Sequence, residues 1–176
     1  MLTDTQFEKI PAHDIVGIRV ILHPEELTEL YDRGCDEILK MLKVEGIEPV
    51  GTARAYYFGE ISDTVDILVG FPVGPEQAET LRRGALSQSG GDIDDVALHH
   101  FRGMKVFHSR HTGAYEGLEQ TWTKAFHDIE SMGCKLPTNT VGWEEFMSDP
   151  ALPTPVDELI TDVYVQVCHA PEHSMQ

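Results

Sequence analysis

Two kinds of hydrophobic spacing alternate along this chain, and the alternation occurs twice. Residues 14–21, DIVGIRVI, are β-branched and nearly continuous, the pattern of a strand covered on both faces. His23-Pro24 ends that run and sets a proline at a first helical position. Leu27, Leu30, Tyr31, Ile38, Leu39 and Leu42 then recur at steps of three and four, one stripe along a helix predicted over about 24–44 and stopped by Gly46. TARAYYFGE and TVDILVGFPV flank the turn-prone stretch from Gly59 to Asp63 and predict a hairpin over about 52–72. Residues 74–103, rich in Gly, Gln, Ser and Asp, predict a connector with a short helix at 75–84, a flexible centre from Ser89 to Asp92 and a solvated acidic run from Asp92 to Asp95. After it the order returns. GMKVFHSRH predicts a strand, Tyr115, Leu118, Trp122, Ala125, Phe126, Ile129 and Met132 trace a helical stripe stopped by Gly133, and TVGWEEFM and LITDVYVQV supply two more strands.

The predicted fold class is therefore α+β: duplicated strand-helix-strand-strand modules with pseudo-twofold symmetry, antiparallel sheets with helices on one face, and a ligand cleft between the modules. VDILV at 65–69 and TDVYV at 161–165 are counterparts in this scheme. The whole chain, 1–176, is expected to form a single domain, with module one at about 10–73, the connector at 74–103, module two at 104–168 and a tail at 169–176.

Side-chain alternation divides the strands of module two into faces. Val163, Val165 and Val167 form an apolar set fit to lie under a helix, which sends Asp162, Tyr164 and Gln166 to the other face. Glu144 and Phe146 share one face of their strand while Trp143 and Glu145 share the other, and the strand alone does not say which pair points inward. The first hairpin splits in the same way, Tyr57 against Tyr56 and Phe58.

Charge narrows the function classes. The 176 residues carry 13 basic and 30 acidic side chains, a net charge of −17, which repels phosphate backbones and anionic lipid. Direct nucleic-acid binding is not expected. Cys35, Cys134 and Cys168 are odd in number and lack CxxC spacing, which argues against a disulfide framework and for a reducing, cytoplasmic location. No signal segment or run of 18 apolar residues is present, so no membrane association is expected. His99, His100, His108, His169 and His173 lack HExxH or paired Cys/His spacing, and GK[ST], GxGxxG and GxSxG signatures are missing. Neither metal nor cofactor is expected.

Four segments carry a family pattern: VDILVGFPV at 65–73, HTGAYEGL at 111–118 with Trp122 beyond it, WEEFMSDP at 143–150, and TDVYV at 161–165. In that order and spacing the chain resembles the GyrI-like small-molecule-binding family, the effector-binding domain of multidrug-sensing regulators of the MerR and AraC classes, here in stand-alone form. The resemblance implies an aromatic-lined cleft with one acidic residue which, counted back from Pro150, falls on Glu144 and not on Glu145. Family members are known to hold lipophilic cations or other planar drugs there, and some resemble hydrolases that open strained rings with a glutamate and a tyrosine. This chain departs from the pattern at Phe146, where tyrosine is common, and at Gln166, where proline is common. With strand one expected to begin by about residue 14, the helix-turn-helix of the family's regulators has no place ahead of it.

The candidate ligand-binding residues are Glu144, Tyr164, Phe146, Trp143, Tyr57, Phe71, Tyr115 and His111. Each has a plainer reading: a solvated carboxylate for Glu144, core packing for Tyr57, Phe71, Tyr115 and Trp143, local hydrogen bonding at a helix entry for His111, and core for Trp122. An ionised Glu144 would select cations, whereas a protonated one would serve as a general acid. The favoured function is binding of a planar hydrophobic or cationic small molecule. The alternatives are a hydrolase of strained-ring electrophiles using Glu144 and Tyr164 as catalytic pair, and an acidic protein whose partner is DNA gyrase or a separate regulator.

Overall fold

The computed structural model describes residues 6–84, 96–148 and 152–168. The expected flexible centre at Ser89–Asp92, the run Asp92–Asp95, Pro150, His169 and His173 lie outside the described residues. The chain divides into two compact units, one of residues 12–102 and the other of residues 1–11 together with 103–176. Both are α+β, and in both the strands pair antiparallel.

In the 12–102 unit the sheet runs β3 (Arg54–Phe58), β4 (Val65–Val73), β2 (His13–Leu22), β5 (Val96–Phe101). The helical stretch expected at 24–44 is present but broken in type. It runs through a 3-10 turn (Pro24–Glu26), α1 (Leu27–Glu29), a π turn (Leu30–Gly34) and α2 (Cys35–Val44). Ile38 and Leu42 of α2, with Ala78 and Leu81 of α3 (Pro75–Arg83), pack on Val16 and Ile18 of β2 and Phe71 and Val73 of β4. Ile38 and Leu42 are fully covered, a burial that contributes about 1.5–3 kcal/mol for each such side chain. At the centre of the sheet Gly17 stands opposite Gly70, where a Cβ on either would meet the facing strand's backbone oxygen at 2.3 Å.

The other unit runs β1 (Gln6–Ile10), β6 (Met104–Thr112), β8 (Ile160–Val167), β7 (Val141–Phe146). A 3-10 turn (Tyr115–Gly117) leads into α4 (Leu118–Ser131), which sets Ala125 and Ile129 on Phe107, Val165 and Val167. Val165 and Val167 thus lie under a helix, as their alternation predicts. The two units share the order strand, helix, strand, strand.

Two expectations need correction. The stretch 74–103 holds the expected short helix, α3, but also a strand, β5, that belongs to the first sheet. A strand, β1, also precedes the one expected to open the chain near residue 14. Each of these strands bypasses its sequence neighbour. β1 ends two residues before β2 yet pairs with β6, and β5 ends two residues before β6 yet pairs with β2. QFEKI and VALHHF are short and lack a clean period of two, so their pairing depends on partners far along the chain.

A buried carboxylate beneath an indole

The register of β7 on β8 pairs Trp143 with Tyr164 and Glu144 with Val163. Val163 belongs to the face covered by α4, so Glu144 and its same-face neighbours Gly142 and Phe146 are turned toward the helix. Trp122 of α4 confirms the orientation, donating its indole N–H to Glu144 Oε1 at 3.0 Å. Glu144 is only 6 % exposed. The indole lies against Gly142, where a Cβ would stand 2.8 Å from ring atoms Cη2 and Cζ3. Phe126 stacks on Trp122 with centroids 6.0 Å apart, and Tyr115 meets Phe146 edge to face at 6.0 Å. The solvated reading of Glu144 therefore gives way to a buried carboxylate, and Trp122, expected as core, packs against the core cluster of this unit and also bonds to Glu144.

Tyr57 holds the equivalent place in the 12–102 unit, pairing with Ile67 as Glu144 pairs with Val163. Its hydroxyl is 2.8 Å from that of Tyr31. Tyr31 lies seven residues after Pro24, and Trp122 seven after Tyr115, so one helical position supplies the polar aromatic in both units. That shared offset is the signal in the sequence that could have singled out Trp122 and Tyr31. Tyr31 also falls in the π turn, a local widening of the helix often found where a side chain is re-aimed. Phe71 is 8 % exposed and belongs to the core under α2.

Tyr164 and Trp143 occupy the opposite face from Glu144. Tyr164 stacks between His108 (centroids 4.5 Å apart) and Trp143 (4.9 Å), and the Trp143 indole N–H donates to Glu145 Oε1 at 3.2 Å. Tyr164 does turn away from the α4 side, yet it is 8 % exposed and not a surface residue. The register sends the side chains of Glu144 and Tyr164, on adjacent strands, to different faces of the sheet.

The same rear face carries a charge cluster. Arg110 donates through Nε and Nη2 to Asp162 at 2.8 and 3.0 Å, and His108 stands 2.9 Å from Glu8 through Nδ1 and 3.1 Å from Asp162 through Nε2, the latter an ion-pair distance without hydrogen-bond alignment. Burial opposes the charge on Asp162, but contacts with His108 and Arg110 outweigh it and hold the carboxyl down at about 2. Burial likewise opposes the His108 imidazolium, and its contacts with Asp162 and Glu8 prevail, raising its pKa.

His111 is buried and structural. Its ring nitrogens meet Thr121 Oγ1 at 2.9 Å and the Ala114 carbonyl at 2.7 Å, and this orders the entry to α4. His100 contacts Asp14 at 3.0 Å. No group of three or more His, Cys, Asp and Glu placed to hold a metal occurs among the described residues. A shallow depression of about 620 Å³ runs along Glu119, Gln120, Thr123, Lys124 and His127 on the outer side of α4, and Glu144 is not part of it.

The α+β units and the family model that matches them define a small-molecule-binding domain. The chain belongs to the GyrI-like family: the model of the GyrI-like small molecule binding domain matches residues 3–167. It is similar to SAV2435, solved bound to tetraphenylphosphonium, at 12% identity and a TM-score of 0.67, covering 98% of this chain and 99% of that one. The EcmrR C-terminal domain matches at 11% identity and a TM-score of 0.66, over 95% and 98% of the two chains. A hydrolase encoded by lin2189 from Listeria innocua matches at 16% identity and a TM-score of 0.59, over 93% and 91%. No curated protein matches the sequence. Among the described residues no helix is long and apolar enough to cross a membrane.

Proposed function

We propose that this protein is a receptor for a planar hydrophobic or cationic small molecule, held on the α4 side of β7 with Glu144 as the charge-selecting group and Phe146, Tyr115 and Trp122 as apolar lining. The burial of Glu144 among aromatic rings carries this reading. A carboxylate loses hydration there, and a ligand cation compensates that loss more fully than a neutral donor does. Aromatic faces also attract delocalised cations, by about 0.5–2 kcal/mol per ring according to exposure. The tetraphenylphosphonium held by SAV2435 supplies a probe of the right kind.

Titration calorimetry with tetraphenylphosphonium tests the proposal. The native protein is expected to bind it, and Glu144→Gln to weaken binding about tenfold or more, the loss of one charge-assisted interaction. Equal affinity of the two proteins would remove Glu144 from the site. Mass spectrometry of a strained-ring electrophile recovered after incubation separates binding from turnover. Unchanged mass supports a receptor, whereas the mass of one added water would assign hydrolysis.

A further inference from the structure

The Glu144 carboxylate already has an intramolecular donor. Trp122 reaches it at 3.0 Å, and the indole can lie so close to β7 only because residue 142 is a glycine. We infer that Trp122 is a specificity-determining residue, an internal competitor for Glu144 Oε1. The inference rests on the receptor reading above and adds a direction to it.

A hydrogen bond to a charged group is worth about 1.5–3 kcal/mol net. A ligand offering Glu144 only a neutral N–H or O–H exchanges one such bond for another and gains nothing at this position. A ligand bearing a full positive charge gains a Coulombic attraction to the carboxylate that the neutral indole does not supply. Trp122 thus sets a threshold that neutral donors fail to clear, although they fit the same aromatic surroundings. The equivalent contact in the 12–102 unit, Tyr31 to Tyr57, joins two hydroxyls. Phe126, stacked on the indole, is 40 % exposed.

The sign of one affinity change decides the matter. Trp122→Phe keeps an aromatic ring and deletes the N–H, and Gly142→Ala keeps the indole and denies it its seat. The added methyl there also comes 3.2 Å from the Tyr164 carbonyl oxygen, so circular dichroism should accompany each variant. Both variants are expected to bind tetraphenylphosphonium about tenfold more tightly than the native protein, and Trp122→Phe to bind carbazole, a planar neutral N–H donor, where the native protein does not. If Glu144→Gln weakens binding but both folded variants bind no more tightly than the native protein, Trp122 is lining and the inference fails alone. If Glu144→Gln also leaves affinity unchanged, the receptor reading fails with it.

Discussion

At the scale of single residues, charge is concentrated on the rear face of the second unit's sheet, where His108 lies between Glu8 and Asp162 while Arg110 clasps Asp162 from β6. The two shifted groups set opposite pH limits. Asp162, depressed to about 2, adds stability that is present above the ordinary carboxylate range and is lost as pH falls toward 2. His108, raised above the ordinary imidazole value, adds stability that is full below that value and is lost as pH rises through its folded pKa. Their joint contribution is greatest between about pH 4 and 6.5. Asp162→Asn should lower stability by about 2 kcal/mol at pH 5.5, because it leaves Arg110 and the imidazolium without their shared acid. Urea titrations at pH 5.5 and 8 test this, and the penalty should be smaller at pH 8. A penalty independent of pH would mean that His108 does not take part.

At the scale of elements, the sheet of the 12–102 unit is shaped by a single crossing. Gly17 and Gly70 face each other on β2 and β4, and a methyl on either would strike a backbone oxygen, which cannot rotate away as a side chain can. Gly17→Ala should therefore cost about 3 kcal/mol, at the upper end for overpacking. Gly142→Ala, whose main obstacle is the movable Trp122 ring, should cost only about 1 kcal/mol. Thermal denaturation of the two variants compares them directly, and equal losses would contradict the distinction between backbone and side-chain obstacles. The helices invite a parallel comparison. Trp122 lies on the stripe that predicts α4, and a stripe records only that a residue faces the sheet. Whether it meets valine or glutamate there is settled by the strand beneath, which is why Trp122 read as core.

At the scale of the whole molecule, the net charge of −17 creates a field that favours any cation and any basic protein surface. Salt separates the two. A ligand paired with a carboxylate that is 6 % exposed is screened little, so tetraphenylphosphonium affinity should change less than about threefold between 50 and 500 mM NaCl. Binding of a basic protein partner to the acidic surface would weaken far more over that range, by slower association. A steep salt dependence of tetraphenylphosphonium binding would move its site from Glu144 to the surface.

The helices, the strands β2, β3, β4, β6, β7 and β8, the repetition of one module and the grouping of Glu144 with Phe146 against Trp143 with Glu145 were legible in the linear chain. These follow from periods of 3.6 and 2 that local backbone geometry imposes on any sequence adopting helix or strand. The resemblance to the family, and not a period, is what implied Glu144 as the acidic residue. Only the tertiary structure decided which face of β7 turns toward α4, that Tyr164 therefore stands away from Glu144, that β1 and β5 each bypass their sequence neighbour, and that the Trp122 indole rests on Gly142. Each of these depends on pairing or docking between segments remote in sequence, and a period along one segment carries no information about the partner it will meet.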